Sequence, residues 1–125
     1  MEANANKCIN LGAVQTLTAQ AAGTVLSGDI DTRQGIGALL FINVTAVTGS
    51  LTVTLQGKDE ASGTYYTILA SAAIAATGMT VLRVYPGLTA AANATVNDVT
   101  PVTCRVSSVV ATGPATATIS MQVIY

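Results

Sequence analysis

The chain has no histidine and no tryptophan, a single phenylalanine, two cysteines and few charges. Without histidine, the commonest general base, the Ser-His triad and every histidine-containing zinc site are excluded together. What could remain is a pair of carboxylates. The acids Glu2, Asp29, Asp31, Asp59, Glu60 and Asp98 all fall in segments that read as turns or termini, where they serve turn formation and solubility. Asp29-Ile30-Asp31 and Asp59-Glu60 could meet around a hard cation, but neither has the alternating acidic pattern and distal Glu of a calcium loop. Gly28 and Gly35-Ile36-Gly37 do not open a helix after a strand, so they do not read as a phosphate cradle. We therefore expect no enzyme activity, no catalytic residue, no cofactor and no metal.

Cys8 and Cys104 lie far apart, and neither belongs to a CxxC pair. Two readings stay open: reduced, buried thiols, or a disulfide tying the N-terminal segment to a late strand. A nucleophilic thiolate needs a cationic neighbour or a base, and Arg105 points to the opposite face of any strand containing Cys104. The sequons Asn43-Val44-Thr45 and Asn93-Ala94-Thr95 are expected to carry no glycan.

Charged residues make up 9% of the chain, against about 25% in ordinary soluble domains. Exposed surface must then be largely Thr, Ser, Ala, Asn and Gln. A formal charge of −1 offers no positive field for phosphates, so nucleic acid is not an expected partner. The longest clean apolar run, Ala38 to Ile42, is far short of the roughly 20 residues that cross a bilayer. No membrane contact is expected. Met1 to Lys7 lacks the basic and apolar segments of a secretory signal, which points to a product made in the cytoplasm.

What is abundant is Ala, Val and Thr in period-two alternation with turn residues between. The predicted strands are Val14 to Thr18, Gly23 to Leu26, Ile36 to Val47, Ser50 to Lys58, Thr64 to Ser71, Met79 to Tyr85, Val102 to Val110 and Ala115 to Tyr125. Leu51, Val53 and Leu55 share one face of their strand, while Thr52, Thr54 and Gln56 share the other. Ile36 to Val47 carries Leu39 and Phe41 on its second face, as if covered on both sides. Thr48-Gly49 reads as a hairpin turn, Thr112-Gly113-Pro114 as the turn of a final strand pair, and Leu88 to Pro101 as a long crossover. About eight strands at near-regular intervals predict an all-β, two-sheet antiparallel β-sandwich, immunoglobulin-like or jelly-roll. Residues 1–12 read as an N-terminal arm and 13–125 as a single β-sandwich domain. Ala115 to Tyr125, lacking Lys and Pro, is the expected edge for subunit pairing.

The run Leu51 to Tyr65 (LTVTLQGKDEASGTY), followed by Val81 to Leu88 (VLRVYPGL), resembles small β-sandwich structural proteins of tailed bacteriophages, of the capsid decoration or cement kind. The resemblance spans roughly residues 36 to 110. In similar sequences an aromatic residue often stands where Cys104 precedes Arg105-Val106, which implies an inward packing role for the thiol. It further implies a virion structural protein, on the capsid surface, that binds and stabilises the assembled phage head. Expected partners are the major capsid protein or other virion proteins, together with further copies of the chain as a homo-oligomer. The alternative is a host-surface or glycan-binding module of a tail or fibre appendage, in which tyrosines would stack on sugars. Under either reading the candidate interaction residues are Tyr65, Tyr66, Tyr85 and Tyr125.

Overall fold

The computed structural model describes residues 8–32 and 35–125. Ten strands form: β1 (Cys8–Gln20), β2 (Gly23–Leu26), β3 (Ile30–Asp31), β4 (Gly37–Val47), β5 (Leu51–Asp59), β6 (Thr64–Ala70), β7 (Gly78–Val84), β8 (Thr95–Val96), β9 (Thr103–Val110) and β10 (Ala115–Ile124). One sheet has the order β1-β10-β4-β7-β8; the other has β2-β9-β5-β6, with β3 also paired to β9. All pairs are antiparallel except β7 with β8. The protein is thus an all-β, two-sheet sandwich.

The pairing is nested. β5 pairs β6, β4 pairs β7, β2 pairs β9 and β1 pairs β10. A long double strand has been rolled so that successive arms lie in alternate sheets, which is the jelly-roll order. This corrects two expectations. Thr48-Gly49 does not close a hairpin, because β4 and β5 belong to different sheets. Thr112-Gly113-Pro114 likewise carries the chain from β9 to β10 across the sandwich. The two crossings bond to each other: Thr48 N donates to Pro114 O, Gly49 N to Thr112 O and Ala111 N to Ser50 O. A Cβ on Gly49 would sit 2.4 Å from Cβ of Thr112, so glycine lets the crossings touch.

Ala115 to Tyr125 is corrected as well: β10 lies between β1 and β4 and has no free edge. Its inward face, Ala115, Ala117, Ile119, Met121 and Val123, is fully buried, and such a strand gains most from neighbours on both sides. β1 extends the predicted Val14 to Thr18 in both directions. Its first residues fall within the stretch 1–12 read as an arm, since Cys8, Ile9, Asn10 and Gly12 pair with Ile124, Val123, Gln122 and Met121. Gly12, at φ 76°, sits beside a register shift that lets the strand continue. The remainder of the predicted arm, residues 1–7, lies outside the described residues. Ala72 to Gly78 holds an isolated bridge, Leu51 to Ile74, and no helix.

The core is aliphatic. Leu40, Ile42, Leu51, Val53, Leu55, Leu82, Val106, Ile119 and Met121 are sealed between the sheets, each worth about 1.5–3 kcal/mol for a side chain of Val or Leu size. Phe41 is outside this core. It lies half-buried on the outer face of β4, with Val81 of β7 opposite, so that face is covered only partly.

Neither cysteine is bonded: Cys8 is exposed and Cys104 buried. Burial pushes the Cys104 thiol up to about 12. At about pH 8 its thiolate would be roughly one part in ten thousand. A thiol reagent should therefore modify one equivalent rapidly in the native protein, at Cys8, and the second only on unfolding. Two equivalents reacting at one rate in native buffer would contradict this environment for Cys104.

Candidate interaction surface at the tyrosine end

The sandwich has two unlike ends. One carries the crossings at residues 21–22, 48–50, 71–77 and 111–114, none of which holds a charged residue. The other carries the β5–β6 turn, the links flanking β3 and β8, and the ends of β1 and β10. All eight charged residues among those described lie toward this second end: Asp29, Asp31, Lys58, Asp59, Glu60, Arg83, Asp98 and Arg105. Strand register brings the four candidate tyrosines there too. Tyr65 and Tyr66 face Lys58 and Gly57 at the start of β6, Tyr85 follows β7, and Tyr125 follows β10.

Tyr65 is tied into a network on the outer face of the β2-β9-β5-β6 sheet. Lys58 on β5 and Arg105 on β9 reach that face by alternation, and Asp29 comes over it from the link between β2 and β3. The Tyr65 hydroxyl donates to Asp29 Oδ1 at 2.5 Å, and Lys58 Nζ donates to Asp29 Oδ2 at 3.0 Å. Arg105 lays its guanidinium 3.5 Å from the centre of the Tyr65 ring while donating from Nε to Gln56 Oε1 at 2.7 Å. The Tyr65 hydroxyl, and then Lys58, hold the Asp29 carboxyl below the usual carboxylate range. Asp29 in turn raises Tyr65 and Lys58. The lowered carboxyl keeps its contribution above the ordinary carboxylate range and loses it as pH falls through the folded value. The raised phenol keeps its contribution below the ordinary tyrosine range and loses it as pH rises. Because these groups are solvent-exposed, the network fixes geometry and adds little stability.

Tyr66 lies on the opposite face of β6. Its ring covers Gly57, where an added Cβ would meet Tyr66 Cζ at 2.6 Å and Pro101 Cγ at 2.8 Å. Even so, Tyr66 stays 46% exposed. Desolvation, and then the charge of Asp98, raise its phenol. Tyr85 packs on Gly37, within 2.7 Å of where a Cβ would stand. The β5–β6 turn forms as its residues predict: Asp59 accepts from Ser62 Oγ at 2.7 Å and from Ala61 N at 3.3 Å, and Gly63 takes φ 73°. Of the two acidic segments weighed as a cation site, Asp29 is engaged with Lys58 and Tyr65, and Asp59 with its own turn. Among the described residues no group of three or more His, Cys, Asp or Glu side chains comes together.

The exposed apolar side chains are distributed unevenly. Nine large ones remain exposed among the described residues, and Ile9, Ile36, Tyr66, Val99, Val102 and Tyr125 are at the tyrosine end. Two long-range links hold this end together: Thr100 N donates to Ile36 O, and Thr32 Oγ1 to Pro101 O. The result is an apolar rim bordered by charges on a rigid frame, a composition typical of protein contacts. Sequence reading singled out the tyrosines but missed Asp29, Lys58 and Arg105 as their setting. Alternation alone places Lys58 and Arg105 on outward faces. Their meeting with Tyr65 depends on the β5–β9 and β5–β6 registers.

No family model matches the chain, and no curated protein matches it. Among solved structures, one described as "Crystal structure of PirA" superposes with a TM-score of 0.50 at 12% sequence identity, covering 100% of this chain and 99% of that one. At that identity the likeness is one of fold, and a fold hosts many unrelated tasks.

Proposed function

We propose that this chain is a non-catalytic structural protein of a virus particle, a capsid decoration or cement protein that binds the assembled phage head. The observation that carries the reading is the gathering at one end of the sandwich of six exposed apolar side chains, Tyr66 and Tyr125 among them, together with the two further tyrosines Tyr65 and Tyr85. An isolated domain gains nothing from keeping such a rim wet, whereas an association partner would bury it. Stabilisation would follow from mass action, since a ligand of the assembled shell alone shifts the equilibrium toward assembly. The run Leu51 to Tyr65 with Val81 to Leu88 supplies the phage assignment by resemblance, and jelly rolls are a common fold of viral capsid domains.

The glycan-binding alternative is disfavoured by the state of Tyr65. One face of its ring is taken by Arg105 and its hydroxyl by Asp29, leaving less for a sugar to stack on.

Purified protein mixed with undecorated capsids should co-sediment saturably. Val99→Asp, a change at a half-exposed side chain that leaves the core untouched, should weaken that binding. No saturable co-sedimentation, or glycan-array binding lost on Tyr66→Ala, would overturn the proposal.

A further inference from the structure

Four strand edges bound the two sheets, and three are unsuited to pairing with another chain. β1 is broken by three register shifts and takes φ 76° at Gly12 and 45° at Ala19. β8 has two residues and covers only Arg83 and Val84 of β7, whose uncovered stretch begins at Gly78 with φ 142° and ends against the charged Arg83, and the edge facing β9 is split between β2 and the two-residue β3. Bulges, short strands and interruptions of this kind are how sheets blunt their edges.

β6 is different. It ends the order β2-β9-β5-β6, and its sequence, Thr-Tyr-Tyr-Thr-Ile-Leu-Ala, contains no charge, proline or glycine. Asn93 Nδ2 donates to Ala70 O at 3.1 Å, capping one end. A register shift opposite Leu55 and Gln56 sets Ile68 apart. Between the turn and that bulge lie Thr64 to Thr67, of which Thr64, Tyr66 and Thr67 are exposed.

We propose that β6 pairs antiparallel with β6 of a second copy, joining two sandwiches into one continuous sheet about a two-fold axis. The occupant follows from charge. Antiparallel self-pairing sets a strand against itself, so any charge near the axis meets its own kind, at a cost. The adjoining strand β5 bears Lys58 and Asp59, yet β6 bears none. Residues on like faces must oppose one another, so a register centred on Tyr66 sets its ring beside the partner's and places Tyr65 opposite Thr67. Tyrosine is enriched at such contacts. Tyr65, already fixed by Asp29 and Arg105, enters with its rotamer settled, which lowers the ordering cost. The inference extends the association reading, but its test needs no capsid, so either can fail alone.

The full chain should sediment as a concentration-dependent dimer, with amide exchange of Thr64 to Thr67 slowed as dimer accumulates. Thr67→Lys, at an exposed position, should abolish the dimer while its circular dichroism melt matches that of the parent. Thr118→Lys, at an exposed position on the outer face of the other sheet, should leave it intact. A parent chain that stays monomeric at its highest soluble concentration, a dimer that survives Thr67→Lys, or protection appearing on β1 instead would each overturn the proposal.

Discussion

Leu40→Ala should lower the stability of the sandwich by about 3 kcal/mol and its melting temperature by about 10 °C, read by calorimetry or by chemical denaturation at constant m-value. Leu40 is fully buried on β4, flanked by Met121 on β10 and Leu82 on β7, both also sealed from solvent. Removal of its isobutyl group costs the transfer free energy of the lost atoms plus the contacts of the walls left behind. The walls are poorly placed to refill the space, because β4 and β10 are both held on two sides by neighbouring strands and cannot shift toward it. Leu39→Ala, one residue along on the half-buried outer face, should cost well under half as much. A similar loss at both positions would mean that the outer face of β4 is itself a packed core in solution, covered by something outside the described chain.

That contrast marks what the sequence made legible. Period-two alternation located β2, β4, β5, β6, β7, β9 and β10 to within about a residue, because one wet face and one dry face impose that pattern on any half-buried strand. It also sets Val102, Cys104, Val106 and Ser108 on one face and Ile119, Met121, Val123 and Tyr125 on another; all of these are buried except Val102 and Tyr125, which lie just beyond the ends of β9 and β10 and are exposed. Alternation does not say which strand lies beside which. Thr48-Gly49 looks like a hairpin turn from either side, and only the pairing of β4 with β7 and β10, far away in sequence, shows that it is a crossing. For the same reason β10 reads as an edge in the sequence although it lies between β1 and β4: lack of Lys and Pro suits a central strand just as well as a bare one. β3 and β8 have two residues each, too few for a period to exist. The tyrosine end was half visible. Its aromatic residues could be named, but the Asp29, Lys58 and Arg105 setting of Tyr65 depends on three strands arriving in register.

Alternation sets Ser108 among core residues but does not name its partner, and removal of that polar pair carries the second large effect. Gln15 of β1 and Ser108 of β9 face each other from opposite sheets, both buried. Ser108 Oγ donates to Gln15 Oε1, while Gln15 Nε2 donates to Val25 O of β2 at 3.1 Å. One amide thus ties three strands across the sandwich. Gln15→Ala would strand the serine hydroxyl in the interior, remove one of the bonds to the half-buried Val25 carbonyl and open a small cavity. A buried polar group without a partner costs about 1–3 kcal/mol, so with the cavity the expected loss is about 3 kcal/mol. Ser108→Ala alone should cost about 1–2 kcal/mol, because Gln15 Oε1 is then unpaired. The two losses should not add. In the double variant the hydroxyl stranded by the first change is no longer present, so the double variant should be more stable than the sum of the singles implies by about 1–2 kcal/mol. Urea denaturation of all four proteins measures this coupling directly. Additivity to within about 0.5 kcal/mol would mean that Gln15 and Ser108 find other partners when separated, and that the two sheets are held in register by their aliphatic faces alone.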